Sequence, residues 1–347
     1  MYILSRLEEG AVEWNVLDFI RLHASDLGKV YIWLDGSNPG DLVEKARSLS
    51  VEVHHNPRSV KGLRQFSKFI RGNKIDVVHA NTGFPSGMYL RIAKRADVPV
   101  RIGHWYYTLW ADSPAFKQRI ILRLQGVMSK VCTNNWAVSK TVKESIQNAK
   151  LRLKTQILYN GYNFSKGEDK APKELSIVHV GRFNRVKNHA LIWKILDEIE
   201  TPFTFTDFGL QEDSELRPSN ERLQDWKAAN KKVNLLGKSG NVTEVLNEHR
   251  VFLFPSLSDG LSGSLVQAAS QGLHCVVSDI PAHREVADFF DTVKLVELQA
   301  PAHEWAEVIE GMPSEKDLES AYSNFKDSPF RHEVAYATWL QAYGIEK

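Results

Sequence analysis

Short apolar, β-branched runs alternate with helix-period segments along this chain, and the alternation is gone through twice. The earlier runs are YIWL (31–34), VEVHH (51–55), DVVHA (76–80), VRIGH (100–104), VCTNNWAVS (131–139) and QILYN (156–160). The later ones are SIVHVG (176–181), FTFTDFG (203–209), VNLLG (233–237), VFLFPS (251–256), CVVSD (275–279) and VKLVEL (293–298). Between them lie patterns such as NHALIWKILDEIE, where Leu191, Ile192, Ile195, Leu196 and Ile199 share one helical face. Strands interleaved with helices pair in parallel, because each crossover returns the chain to the same end of the sheet, and the helices cover both faces. The stretch NGYNFSKGEDKAPKE (160–174) interrupts the pattern with Gly, Lys, Glu and Pro. The expectation is an α/β protein of two doubly wound parallel-sheet domains, residues 1–164 and 165–330. A chain of 347 residues has room for two such cores.

Ligands of open α/β sheets bind beyond the carboxyl ends of the strands, so chemistry is sought in the residues just after each run. After VFLFP comes SLSDGLSGSLVQAASQG (256–272). Gly260, Ser262, Gly263 and Ser264 form a loop feeding a helix N-terminus, where unpaired amides and the helix dipole favour negative charge. The stretch suits a phosphate, or is an ordinary connection. After SIVHV comes GRFNRVKNHALIW, in which Gly181 permits a turn and Arg182 and Lys187 stand five apart at a helix entry. An arginine fork and a lysine point charge there make a diphosphate clamp, or two solvated cations. Asp259 and Gln267 are eight residues apart, one in the loop and one on the helix. They offer acceptors to sugar hydroxyls and to a ribose diol, or they face solvent.

In combination, GRFNRVKNH and FPSLSDGLSGSLVQAASQGLHCVVSD resemble the retaining glycosyltransferases of family 4, which have the GT-B fold. DVVHANTG, RIGHWYY, AVSK (137–140) and ILYNGYN (157–163) agree in order and spacing, so the resemblance covers about residues 75 to 290. It is similar in particular to the enzymes that build bacterial capsular polysaccharides and exopolysaccharides. The resemblance implies two Rossmann-like domains facing across a cleft. The first binds the acceptor, with a C-terminal helix in 331–347 crossing back to it, and the second binds a nucleotide-diphosphate sugar. Arg182 and Lys187 would hold the diphosphate with the backbone amides around Gly260, Leu261, Ser262, Gly263 and Ser264. Asp259 would touch the donor sugar and Gln267 the ribose. His104 matches the family histidine that reaches the sugar from the opposite domain; His54, His55 and His79 are read as structural. Gly10 and Glu13, in EEGAVE, are the remnants of a glycine-rich turn. The family carries glutamate at both ends of the eight-residue interval. Asp259 keeps the charge with a shorter reach, whereas Gln267 keeps the length without the charge.

No Asp-x-Asp pair occurs in the chain, so metal independence is expected, with Arg182, Lys187 and helix-end amides stabilising the leaving diphosphate. No cofactor beyond the nucleotide sugar is implied. Residues 1–165 carry 24 Lys and Arg against 13 Asp and Glu, a balance of +11, and residues 166–347 carry 20 against 29, a balance of −9. The basic half suggests an anionic partner. Trp105, Tyr106, Tyr107 and Trp110, before Pro114, read as a loop interleaved with Lys117, Arg119 and Arg123. Together they suit docking on an anionic leaflet and a saccharide or lipid-linked saccharide acceptor. Ile120, Ile121 and Leu124 read as helix core. Cys132 and Cys275 lie too far apart in sequence for a disulfide framework or a zinc motif. The start lacks a signal-peptide core, and no apolar run reaches the roughly 20 residues of a membrane span. The expected location is cytoplasmic, at the inner face of the cell membrane. Nucleic-acid binding has no recognition motif behind it. A catalytically silent GT-B binding subunit and a nucleotide-sugar epimerase are the alternative readings.

Overall fold

The computed structural model describes residues 1–108, 114–209, 213–237 and 241–345. The chain divides into two compact units, Met1–Tyr162 with Pro329–Lys347, and Asn163–Ser328.

The first unit is built on seven parallel strands: β1 (Tyr2–Leu4), β2 (Tyr31–Leu34), β3 (Glu52–His55), β4 (Val77–Ala80), β5 (Val100–Trp105), β6 (Asn134–Ala137) and β7 (Gln156–Ile157). Their order in the sheet is β3-β2-β1-β4-β5-β6-β7. Six of the seven are legible as apolar runs. The seventh, β1, has only three residues, too few to show a period, yet it is buried throughout and pairs with both β2 and β4. The helix His332–Tyr343 packs on this unit. Its Tyr336 hydroxyl donates to the Asn15 carbonyl at 3.2 Å, and the Phe19 ring meets Tyr336 and Tyr343 edge-on at 5.2 and 5.6 Å.

Three expectations for this unit are corrected. Trp105 is not in a surface loop: it is the last residue of β5, 1% exposed, and its indole N–H donates to Asn135 Oδ1 at 3.1 Å. Tyr106 is likewise buried, at 5%. β5 is an interior strand between β4 and β6, and its alternating side chains are buried from Ile102 through Trp105, with Tyr106 buried just after it. Ile120 is not core: on the helix Ala115–Val131 it is exposed beside Phe116, whereas Ile121 is buried and Leu124 half-buried. Tyr107 is exposed, as expected, and Trp110 lies outside the described residues.

The second unit has six parallel strands: β8 (Leu175–Val180), β9 (Phe203–Phe208), β10 (Lys232–Gly237), β11 (Val251–Phe254), β12 (His274–Ser278) and β13 (Val293–Val296). Their order is β10-β9-β8-β11-β12-β13. The chain therefore winds outward from β8 through β9 to β10, then returns to the other side of β8 to lay down β11. Helix His189–Glu198 covers one face with Ile192, Ile195 and Leu196, and Ile199 follows; all four are fully buried against Phe205 and Trp305. Each such side chain contributes about 2 kcal/mol by leaving water.

Candidate functional site

Strand order decides where the candidate residues meet. β8 and β11 are 74 residues apart where Val251 pairs with Ile177, yet they are neighbours at the point where the winding reverses. At such a switch point the loops after the two strands diverge to opposite faces and leave a crevice. The loop after β8 is GRFNRVKNH and the loop after β11 is PSLSDGLSG. Four hydrogen bonds stitch them together. Leu257 N–H donates to Val186 O at 2.9 Å, Asn188 Nδ2 donates to Pro255 O at 3.1 Å, and Lys187 Nζ donates to both carboxylate oxygens of Asp259 at 2.9 and 3.0 Å.

The first loop is held by its own side chains. Asn184 caps a short 3-10 turn, Arg185–Lys187, accepting from the amides of Val186 and Lys187. Asn188 then takes a left-handed conformation, φ 59°, which redirects the chain into helix His189–Glu198. Gly181 takes no left-handed conformation, and the close approach that demands glycine lies at the next strand end: a Cβ on Gly209, after β9, would lie 1.9 Å from the Gly181 carbonyl. The two strand ends approach so closely that only glycine fits at 209. Below this loop, His189 Nε2 and Asp207 Oδ2 bond at 3.0 Å, with His179 alongside donating its Nδ1–H to Leu253 O, 2.9 Å away. These three are the group with metal-ligand spacing among the described residues, their ligand atoms lying within 4.8 Å of one another, and all three are buried. The His189–Asp207 bond ties the start of the helix to β9. Burial brings the His179 imidazole down to about 4.

In the second loop, Ser262 is the N-cap of helix Gly263–Ser270, its Oγ accepting from Leu265 N–H at 3.3 Å. Gly263 and Ser264 open the first turn, where amides have no carbonyl one turn back; Gly260 and Leu261 complete the approach. Gln267 sits on the same helix with its amide donating to Thr243 Oγ1 at 3.1 Å. Arg182 is exposed at the tip of β8. Gly10 is the N-cap of helix Ala11–Leu22 beyond β1, in extended conformation, with Glu13 in the first turn.

Lys187 and Asp259, placed on separate ligands by the sequence reading, are here each other's partners, both side chains 15% exposed. The Lys187 ammonium also lies 4.4 Å from the Phe254 ring centre. Burial opposes ionisation of Asp259, but Lys187 and then His283 outweigh it and hold the carboxyl at about 2. His283 is a site residue the sequence did not disclose. Its Nε2 lies 3.4 Å from Asp259 Oδ2 while Nδ1 meets Ser278 O at 2.9 Å. It arrives from helix Pro281–Ala287, which follows the next strand, and no local motif announces it.

His104, near the end of β5 in the first unit, is 2% exposed. Burial, against a weaker backbone influence from Leu158, brings its imidazole down to about 3, so the ring is neutral.

A doubly wound sheet whose switch point brings Lys187, Asp259 and a helix N-terminus together has the ligand crevice of an open α/β enzyme. A model described as "Glycosyl transferase 4-like domain" matches residues 30–161, and one described as "Glycosyl transferases group 1" matches residues 174–312. The chain belongs to this glycosyltransferase family, and it is an enzyme of the GT-B fold. It is 26% identical to the capsular polysaccharide biosynthesis glycosyltransferase CapH of Staphylococcus aureus, over 94% of this chain and 93% of that one. It is 27% identical to the putative glycosyltransferase EpsF of Bacillus subtilis, over 89% and 86%. The crystal structure of Anabaena HepE in complex with UDP superposes with a TM-score of 0.79 at 14% identity, covering 99% of this chain and 98% of that one. The lipopolysaccharide outer core galactosyltransferase WaaB gives 0.71 at 15%, covering 99% of each.

Proposed function

We propose that this glycosyltransferase moves a hexose-type sugar, with retention of configuration, from a nucleoside-diphosphate sugar to a saccharide or lipid-linked saccharide acceptor in cell-surface polysaccharide biosynthesis. The observation that carries the reading is the stitched pair of loops at the β8/β11 switch point, with Lys187 against Asp259 beside a helix N-terminus. The names of CapH and EpsF support the polysaccharide, and the HepE structures, bound to UDP and to UDP-glucose, support the donor class.

In this reading Lys187 and Arg182 take the diphosphate, with the amides of Leu261, Ser262, Gly263 and Ser264. Negative charge grows on the diphosphate oxygen as the bond to the anomeric carbon breaks, and preplaced cations and dipoles lower that barrier. Asp259, once Lys187 turns to the phosphate, accepts from sugar hydroxyls. Gln267 addresses the ribose, the loop at Gly10 closes on the donor, and His104 donates to the sugar. Because these groups supply the positive potential, turnover is expected to persist unchanged in EDTA. Loss that magnesium restores would overturn metal independence. A panel of nucleotide sugars in thermal-shift assays tests the donor assignment. Stabilisation by one nucleoside diphosphate and its sugars is expected, with NMR of the product showing the donor's anomeric configuration. No shift with any donor, or an inverted product, would refute it.

The acceptor side rests on helix Ala115–Val131, where Phe116 and Ile120 stand exposed one turn apart with Lys117, Arg119 and Arg123 around them. No helix among the described residues is long and apolar enough to cross a membrane. This face docks on an anionic leaflet, the apolar pair entering the headgroup layer and the cations pairing with lipid phosphates. Co-sedimentation with anionic vesicles should fall at least tenfold when Phe116 and Ile120 are both replaced by Asp. Equal partition of the parent protein to neutral and anionic vesicles would remove the electrostatic part.

A further inference from the structure

His104 Nδ1 meets two partners, His79 Nε2 at 3.1 Å and the Tyr106 hydroxyl at 3.0 Å. His79 Nδ1 meets the Tyr343 hydroxyl, from the C-terminal helix, at 2.7 Å. The remaining nitrogen, His104 Nε2, is buried and has no hydrogen-bond partner. Where the protons sit decides what that nitrogen can do.

Burial holds both rings neutral. The His79 imidazole lies well below its ordinary value, through enclosure first and then through His104 and the terminal amino group. Each ring therefore carries one proton. The contact itself fits either direction, but among the described residues His104 Nδ1 is the one acceptor within reach of the buried Tyr106 O–H, so we take the hydroxyl as donor and Nδ1 as acceptor. His79 Nε2 must then bear its ring's proton, because two bare nitrogens 3.1 Å apart would repel. That leaves His79 Nδ1 as the acceptor of the Tyr343 O–H. The 2.7 Å separation agrees, being typical of hydroxyl donors and shorter than the usual N–H bond of about 2.9–3.0 Å. Tyr343 also lies 3.2 Å from the Tyr2 hydroxyl, with an orientation that suits Tyr343 as donor. That contact is beyond the normal O–H···O range and loses to the short bond. The one proton left to His104 is on Nε2.

We propose that His79, Tyr106 and Tyr343 are positioning residues that hold His104 as the neutral tautomer protonated at Nε2, so that it presents a hydrogen-bond donor to an oxygen of the donor sugar, neither a base nor a cation. The assignment of the partner oxygen rests on the function proposed above; the tautomer does not. The titratable groups around the two rings are Tyr2, Tyr106, Tyr343, the Met1 amino group and, at longer range through Tyr106, Glu13. The amino group, which burial lowers to about 5, is uncharged over the pH range of the test.

Nitrogen-15 spectra of histidine-labelled free protein between pH 6 and 8 read the tautomer directly, with the signals assigned by their loss in H104Q. A bare, accepting Nδ1 and a protonated Nε2 are expected; a protonated Nδ1 overturns the proposal. His79→Leu should lower kcat at least tenfold with KM changed less than threefold. His79→Gln, which can still aim an N–H at His104, should recover most of that loss. Equal activity of His79→Leu and parent, or equal loss in both variants, overturns the positioning role. Should His79→Leu not fold, Tyr343→Phe removes the outer link and should cost two- to fivefold in kcat; no loss overturns the role equally. The expected tautomer combined with full turnover by H104Q would support the tautomer and refute the sugar-facing reading of His104.

Discussion

Lys187→Ala is expected to lower kcat/KM for the nucleotide sugar by about 100- to 1,000-fold, the range for removing one preorganised charge-stabilising group from an active site. It should also destabilise the second unit by roughly 3 kcal/mol, because Asp259 is left as a largely buried carboxylate without its cation. The two effects separate in the double variant Lys187→Ala with Asp259→Asn. Removing the orphaned charge restores most of the melting temperature, since deleting both members of a buried pair is often nearly neutral. It restores no activity. Assays of turnover and thermal melting on parent, single and double variants would check this. Recovery of turnover in the double variant would mean that Lys187 serves only to neutralise Asp259.

Acidification from pH 7.5 to 5 is expected to lower the melting temperature of each unit, by roughly 10 °C for the first. His79 lies well below its ordinary value, His104 is at about 3 and His179 at about 4, in each case because burial penalises the charged ring, and His249 is lowered by the same cause. A group whose folded value is depressed refuses a proton that the unfolded chain accepts. Stability is therefore full above the unfolded value near 6.5 and falls as the pH drops toward the folded values. Each fully depressed histidine costs about 1.4 kcal/mol per pH unit in that window, so about 2 kcal/mol by pH 5. His79 and His104 together cost the first unit about 4 kcal/mol, which corresponds to that shift in a domain of this size. The Met1 amino group, lowered by burial to about 5, adds to the loss in the same direction. The window avoids carboxylates: Asp259, held at about 2, keeps its contribution until far lower pH. Melting curves between pH 7.5 and 5 test this, and a melting temperature flat across the range would refute the buried, neutral state of these rings.

Residue periodicity is legible when an element is long enough to repeat. The runs at 251–254 and 175–180 and the face Ile192, Ile195 and Leu196 repeat, and each became the strand or helix its period required. β1 does not repeat, and three buried residues at the centre of a sheet look like any apolar triplet. Tyr106 and Trp105 misled for the opposite reason. Aromatics mixed with polar residues read as a surface, yet successive residues at the end of β5 are buried whichever face they point to, and enclosure there comes from neighbours far away in sequence. Ile120 was misjudged because Ile120 and Ile121 are equally apolar, and only the packed helix shows which of two adjacent positions faces in.

The amino-acid sequence by itself determined the class of fold, the places where loops would gather and the chemical types at hand, because periodicity, glycine content and charge are local properties. Tertiary structure alone decided that Lys187 and Asp259 grip each other, that His283 joins them, and that His79 stands behind His104. Those contacts link residues 72, 24 and 25 positions apart. Such contacts depend on which strands become neighbours where the winding reverses and on what burial then does to each proton, and neither is written in any short stretch of chain.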